Sequence, residues 1–207
     1  ATVKTGKGIR IKISQTTDYP NSGNVAINID PAGTGSFKLK LRIPLWCKNA
    51  VIRVNGSKSG IGCTPGTFAE IDRQWKQGDK VVLELPMEWR LVRGRERQAG
   101  RVALMRGPQL FCLDPLQEKS LANLDPSDIG RIVVDLASLD PEPVNSNVVR
   151  PDGIGCSLKA GNVPMFLGNS RNLSLVFTEF ADPAGKCTYF KVPDVSETVP
   201  DELTGLW

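Results

Sequence analysis

The clearest structural signal in this chain is Phe37-Lys-Leu-Lys-Leu-Arg-Ile-Pro-Leu-Trp46, followed by Ala50-Val-Ile-Arg-Val-Asn-Gly56. From Phe37 onward, apolar residues alternate with lysine and arginine, which predicts a strand with one buried and one solvated face. Pro44 cannot donate to a strand ladder, so the strand is expected to end there. Asn55-Gly56 is a dipeptide favoured by type I′ hairpin turns, which need positive φ at both central residues. The stretch therefore predicts strand, turn and strand.

The same alternation recurs through the first half of the chain, for example at Ile9, Ile11 and Ile13. Turn signals rich in Gly and Pro separate these segments at intervals of about 8–12 residues, which is typical of sandwiches and barrels. No convincing helix pattern interrupts them. We therefore expect an all-β fold, an antiparallel β-sandwich or jelly roll, built as two packed sandwich modules.

A boundary between the modules is expected near Gly94–Gly100, because a complete meander precedes it and charge density peaks there. This gives module 1 as residues 1–97 and module 2 as residues 98–207. In an alternative arrangement, the last strands, about 172–192, return to module 1. The basic stretch from Arg90 to Arg101 is interpreted as a solvated inter-strand linker, with a polyanion site as the alternative.

Composition excludes several classes of partner. The chain has 207 residues, 40% of them hydrophobic and 23% charged, with a formal net charge of +4. No block of five or more like charges occurs, so a nucleic-acid partner is not expected. No apolar run approaches the roughly 18 residues that cross a bilayer, so a membrane partner is not expected either. No signal peptide is recognisable at the start.

Histidine is absent from the chain, which removes Ser-His and Cys-His nucleophile pairs and imidazole metal ligands. The five cysteines have no close spacing, and their odd number leaves at least one unpaired within the chain. Most are interpreted as buried, unreactive thiols, with a structural disulfide such as Cys47–Cys63 as the alternative. Neither a metal site nor a cofactor is expected.

Carboxylates are the first candidates for chemistry, because glycoside hydrolysis usually uses two carboxyl groups, one with a raised pKa. Glu70 and Asp72 share a strand face, and Glu84 is expected on a neighbouring strand. We interpret them as solvent-facing partners of Arg73 and Lys80, so no catalytic residue is predicted.

Tryptophans are the second candidates, because exposed aromatic rings can stack on sugars. Trp75 precedes a turn and is expected to plug the sandwich, while Trp46 is expected to cover a sheet edge or an interdomain seam. Trp89 is the least constrained of the four, which also include Trp207, and is therefore the predicted ligand-binding residue.

Several motifs resemble the region C-terminal to the catalytic barrel in glycoside hydrolase family 127, the β-L-arabinofuranosidase family. They occur in the expected order, and the resemblance is specific from about Tyr19 to Asp114. The motifs are Leu41-Arg-Ile-Pro-Leu-Trp46, Val54-Asn-Gly56, Arg73-Gln-Trp-Lys-Gln-Gly-Asp79, Leu83-Glu-Leu-Pro-Met87, Arg101-Val-Ala-Leu-Met-Arg-Gly-Pro108 and Cys112-Leu-Asp114.

The resemblance implies an upstream (α/α)6 barrel in the parent protein, which carries the family's cysteine nucleophile and zinc ligands. No residue of this chain matches those motifs. The expected function is therefore a non-catalytic, structural β-sandwich portion of a bacterial glycoside hydrolase acting on arabinofuranosides or related plant glycans. A periplasmic or secreted location is favoured over a cytoplasmic one. Two alternatives are a stand-alone carbohydrate-binding module with a glycan partner and an enzyme that uses carboxylates alone.

Overall fold

The chain forms two compact units, Ala1–Met87 (unit 1) and Glu88–Trp207 (unit 2). The structure is a computed structural model. It describes residues 1–6, 8–114, 121, 129, 132–134, 144–145, 149–160, 173–180, 182–183, 185, 187–196 and 198. Trp207 lies outside the described residues. Among the residues described, no helix is both long and apolar enough to cross a membrane.

Unit 1 consists of strands in two antiparallel sheets. The strands are β1 (Thr2–Lys4), β2 (Arg10–Thr17), β3 (Asn24–Pro31), β4 (Gly35–Arg42), β5 (Val51–Val54), β6 (Ser57–Lys58), β7 (Phe68–Trp75) and β8 (Asp79–Glu84). Among the described residues, the large sheet has the order β1-β2-β3-β8-β5-β6, and the small sheet pairs β4 with β7. The antiparallel β-sandwich predicted from the sequence is confirmed here.

The strand-turn-strand stretch crosses from one sheet to the other. β4 pairs with β7 in the small sheet, whereas β5 pairs with β8 in the large sheet. The strand ends at Arg42, just before Pro44, as predicted. Asn55 and Gly56 have φ values of 51° and 85°, and β5 pairs with β6 across them, so the predicted hairpin is also confirmed.

The core of unit 1 lies between the two sheets, because the apolar side of each alternating strand faces inward. Ile29, Ile52 and Val81 come from the large sheet, and Ile71 and Trp75 from the small one. Trp75 is fully buried, stacks on Phe37 at a centroid distance of 5.5 Å, and donates from Nε1 to the Phe37 carbonyl at 2.9 Å. It plugs the sandwich as predicted.

Unit 2 is also built from antiparallel strands. They are β9 (Trp89–Arg93), β10 (Val102–Arg106), β11 (Gln109–Leu113), β12 (Val144–Asn145), β13 (Ile154–Ala160), β14 (Leu173–Glu179) and β15 (Tyr189–Phe190). Among the described residues they connect in the order β12-β13-β14-β11-β10-β15, with β9 on the other side of β10.

The β10–β11 hairpin connects the two halves of unit 2. β10 pairs with β11 at Met105 and Arg106, and with β15 at Val102 and Ala103. β11 then pairs with β14 from Phe111 onward. Side chains from both halves, including those of Leu104, Phe111 and Phe177, form one buried apolar cluster.

The Arg90–Arg101 stretch lies within unit 2 and not between modules. β9 pairs along the whole of β10, and the loop between them contains a 3-10 turn at Glu96–Gln98. Arg90–Arg93 belongs to strand β9 itself, so only residues 94–101 connect strands and the linker interpretation holds for that part alone. Residue 97 lies in this connection, and the two units divide after Met87. The described pairings of β14 and β15 are with strands of unit 2.

Candidate functional site

The outer face of the small sheet carries the first pair of candidate carboxylates. Glu70 lies 2.7 Å from the Lys40 amine and 3.2 Å from the Lys38 amine, and Asp72 lies 4.0 Å from Lys38. These are cross-strand pairs of β4 and β7, and not the predicted pairs with Arg73 and Lys80. Hydrogen bonds from Lys40 and Lys38, with their charges, lower the pKa of Glu70. Glu70 is therefore a solvated ion-pair partner.

Glu84 lies in the other sheet, which corrects the expectation that it neighbours Glu70 and Asp72. The turn at Gln77–Asp79 leads from β7 in the small sheet to β8 in the large one, so β7 and β8 do not pair. Glu84 accepts from Nε of Arg53 at 2.6 Å. The three carboxylates singled out from the sequence therefore do not converge on one site.

Asp79 is a buried carboxylate that sequence reasoning missed. Its side chain is 1% exposed and accepts hydrogen bonds from Asn55 Nδ2 at 2.8 Å and from the Lys76 backbone N–H at 3.0 Å. Burial by itself raises the pKa of Asp79, but these hydrogen bonds and the charges of Arg73 and Lys76 lower it overall. Asp79 is thus held as a carboxylate that fixes the turn before β8.

Glu179, at the end of β14, is one of the buried carboxylates of unit 2. Arg150 donates to it in bidentate fashion, from Nε to Oε2 at 2.7 Å and from Nη2 to Oε1 at 2.6 Å. Gln109 Nε2 and the Ile154 N–H also donate to Oε1, at 2.8 and 3.2 Å. All of these contacts connect segments distant in sequence, so the cluster stabilises the packing of β11, β13 and β14.

The cysteine side chains are buried or partly buried and pack within the two units. None of the five cysteines, all of which lie in the described part of the chain, forms a disulfide, so the alternative Cys47–Cys63 bridge is absent. Cys47, Cys112 and Cys156 are buried, as expected for most of them. Burial raises the pKa of the Cys112 thiol, which donates to the Glu179 carbonyl at 3.6 Å. Among the described residues, no group of three or more Cys, Asp or Glu is arranged to hold a metal ion.

Trp89, the predicted ligand-binding residue, is half-buried at the start of β9. Its ring packs against Phe111 at a centroid distance of 4.7 Å and an interplanar angle of 58°. The Arg106 guanidinium carbon lies 6.0 Å from the ring centroid. The geometry shows a packing role at the margin of the unit 2 core, and sugar binding by Trp89 stays a prediction.

An open pocket of about 370 Å³ lies in unit 1, beside the β5–β6 hairpin. Strand β7 contributes two of the lining residues, Ile71 and Arg73. The full lining of the pocket is Val54, Ser57, Lys58, Ser59, Ile61, Ile71 and Arg73. No local motif marks this pocket, because its lining joins segments that are separated by the whole β6–β7 connection.

Known proteins with similar sequences or structures are glycoside hydrolases. Residues 1–87 match the family model described as the middle domain of the GH127 β-L-arabinofuranosidases. A non-reducing end β-L-arabinofuranosidase of Bifidobacterium longum subsp. longum is 31% identical over 111 residues, which cover 50% of this chain and 17% of that protein.

Solved structures share the fold. A protein described as a glycoside hydrolase has a TM-score of 0.76 at 23% identity, over 92% of this chain and 34% of its own. A GH127 β-L-arabinofuranosidase from Geobacillus stearothermophilus T6 has a TM-score of 0.73 at 23% identity, over 93% of this chain and 32% of its own. The chain thus spans about a third of the solved structures and less of the curated relative. Residues 1–87 are thus similar to the middle domain of the GH127 family, and the chain as a whole shares the fold of a region of the solved GH127 structure.

Proposed function

We propose that this chain is a non-catalytic, structural part of a GH127 glycoside hydrolase, and that the chemistry belongs to an upstream (α/α)6 barrel of the parent protein. The relative lengths support this, because the similar glycoside hydrolase structures are about three times as long as the part that matches. The name of the family model, a middle domain, supports it as well.

The observation that carries the proposal is that Glu70 and Glu84 lie in different sheets, each paired with a cation, and that the carboxylates of Glu70 and Asp79 have a lowered pKa. A glycosidase needs one carboxylic acid with a raised pKa to protonate the leaving group. Glu70 and Asp79 both have a lowered pKa, because ammonium groups, amide donors or a guanidinium stabilise the charged form. Such groups are suited to ion pairing and poorly suited to general acid catalysis at neutral pH.

A structural role also fits the exposed apolar residues at one end of unit 1. β2 and β4 end there and β7 begins there, which brings together Tyr19, Leu45 and Phe68 at 39%, 40% and 58% exposure. Exposed apolar groups at one end of a sandwich are candidates for contact with another domain. We assign that partner as the parent's catalytic barrel.

The proposal is tested by assaying the 207-residue chain and a full-length GH127 β-L-arabinofuranosidase on the same chromogenic β-L-arabinofuranoside. We expect turnover by the full-length enzyme and none by this chain above the buffer blank. Turnover by this chain that survives repurification and is lost in Glu70→Gln or Glu179→Gln would overturn it.

A further inference from the structure

The pocket beside the β5–β6 hairpin combines three kinds of groups on one concave surface. Val54, Ile61 and Ile71 are its apolar lining residues, and Ile71 is 3% exposed, so Val54 and Ile61 supply most of the accessible apolar surface. Its volume of about 370 Å³ falls within the range of roughly 300–1,000 Å³ found for small-ligand sites. The pocket lies entirely within unit 1, so its shape depends only on the sandwich described above.

Hydroxyl and cationic groups complete the lining. Ser57 and Ser59 each supply a hydroxyl, and Lys58 and Arg73 each supply a positive charge. Among the residues that line the pocket, all of them described, none is acidic. The lining therefore offers donors to an anion, further partners for hydroxyl groups, and an apolar patch for C–H groups.

Arg73 is held in place at the pocket wall. Its guanidinium carbon lies 5.3 Å from the centroid of the Trp75 ring, and Nε donates to the Gln74 carbonyl at 3.3 Å. Nη2 lies 3.8 Å from the Asp79 carboxylate. A guanidinium has five N–H donors, and 35% of this side chain remains exposed, so Arg73 still has donors for a ligand. Because its contacts already restrict the side chain, ligand binding costs little further side-chain entropy.

Asp79 offsets part of this positive charge, but it does not neutralise the pocket. Asp79 is 1% exposed and accepts hydrogen bonds from Asn55 Nδ2 and the Lys76 N–H. None of the ion pairs between described residues involves Lys58. Burial raises the pKa of the Cys63 thiol, and the positive charge of Lys58 partly opposes that rise. An anion entering the pocket therefore meets Lys58 as well as Arg73.

We propose that this pocket binds a sugar unit that carries a carboxylate, of the uronic acid class. The carboxylate meets Lys58 and Arg73, the ring hydroxyls meet Ser57 and Ser59, and the C–H face of the ring lies on Val54 and Ile61. Charged hydrogen bonds to Arg and Lys are stronger than neutral ones, so they select the acidic sugar over its neutral counterpart. A site of this kind tethers the protein to an acidic glycan.

The test titrates the isotopically labelled 207-residue chain with D-galacturonate, with D-galactose as the neutral counterpart and with acetate as the carboxylate alone, followed by NMR amide shifts. We expect galacturonate to shift amides of Ser57–Ile61 and Arg73 and to bind at least about tenfold more tightly than galactose or acetate, the loss that one charged hydrogen bond implies. The binding should weaken as salt is added.

Two variants and a control isolate the pocket. Lys58→Gln should weaken galacturonate binding about tenfold. Ser57→Phe should abolish it by filling the space. Lys48→Gln, which removes a lysine from the β4–β5 loop at the other end of β5, should leave it unchanged. Equal binding of galacturonate and acetate, equal binding of galacturonate and galactose, or no shift of the pocket amides would each overturn the proposal. These outcomes do not depend on whether the chain hydrolyses glycosides.

Discussion

Asn55 and Asp79 join the β5–β6 hairpin to the turn that starts β8. Asn55 Nδ2 donates to Asp79 Oδ1 at 2.8 Å, and Asn55 Oδ1 accepts from the Lys80 N–H at 2.9 Å. Asn55 also occupies the left-handed region, with φ of 51°. One residue therefore shapes the hairpin next to the pocket and ties it to the neighbouring strand.

Two substitutions of Asn55 should separate these roles. Asn55→Gly keeps access to positive φ but removes both side-chain hydrogen bonds, and we expect unit 1 to lose about 2 kcal/mol of stability. Asn55→Ala should lose about 1 kcal/mol more, because a Cβ without a polar group disfavours the left-handed region. Native-state hydrogen exchange of unit 1 amides measures both losses. Equal losses for the two variants would show that backbone conformation contributes nothing here.

Asp79 should make unit 1 sensitive to acid. Its folded pKa lies below the unfolded value of about 3.9, so its stabilising effect is complete above about pH 5 and is lost as the pH falls through the folded pKa. Asp79→Asn should therefore destabilise unit 1 at pH 7 and cost progressively less toward pH 3.

Glu70→Gln is the control for Asp79, because the pKa of Glu70 is also lowered but its side chain is 40% exposed. We expect its effect to be much smaller and to disappear in high salt. Hydrogen exchange across a pH series measures both variants. A cost of Asp79→Asn that is the same at pH 3 and pH 7 would contradict the assignment.

Local patterns predicted the strands but not their partners. The alternation in β4 and the Asn55-Gly56 turn follow from side-chain direction and backbone φ, which neighbouring residues determine. The Gln77–Asp79 turn marks where β7 ends, but it carries no information on which sheet β8 joins. For that reason the pairing of β7 with β4, and the Lys38–Glu70 pair that follows from it, could not be read from the sequence.

Buried polar contacts were missed for the same reason. Arg150 and Glu179 are 29 residues apart, and each is an ordinary charged residue in its own segment. Only the β13–β14 pairing brings them together. The pocket likewise needs the β5–β6 hairpin and β7 to meet, which no local motif encodes. Strand existence is thus a local property, and the candidate sites here are products of long-range pairing.

Breaking the Arg150–Glu179 pair should destabilise unit 2 strongly. The Glu179 side chain is 9% exposed and accepts four hydrogen bonds, so Glu179→Ala leaves buried donors without an acceptor. We expect a loss of about 3 kcal/mol for Glu179→Ala. The double variant Arg150→Met with Glu179→Leu should lose less, because it removes both charges.

The matched control is Glu84→Ala, which breaks the Arg53–Glu84 pair of unit 1. That pair has similar distances, but its side chains are 42% and 32% exposed. We expect a loss of about 0.5 kcal/mol there. Hydrogen exchange resolves the two units separately. Equal losses for the buried and exposed pairs would refute the role given to burial.

The loss of stability caused by a larger side chain at Gly185 should be partly offset by a smaller one at Cys112. A Cβ at Gly185 would overlap the Cys112 sulfur, and the Gly185 N–H donates to the Asp182 carbonyl at 3.0 Å, which restricts its movement. Gly185→Ala should therefore cost unit 2 about 1–3 kcal/mol through overpacking. Adding Cys112→Ala should recover part of that loss in a double-mutant cycle measured by urea unfolding. Strict additivity of the two changes would mean that the two residues do not compete for space.

Trp89 provides the test between packing and sugar stacking. Its ring contacts Phe111 at 4.7 Å, so Trp89→Ala should destabilise unit 2 by about 2 kcal/mol, less than for a fully buried tryptophan. Trp89→Leu keeps an apolar side chain but removes the flat ring, and it should recover about half of that stability. Calorimetric titration with plant-wall arabinans should give no binding heat for the unsubstituted chain. A binding signal that is lost in the folded Trp89→Leu variant would instead establish Trp89 as a sugar-stacking residue and favour a carbohydrate-binding module.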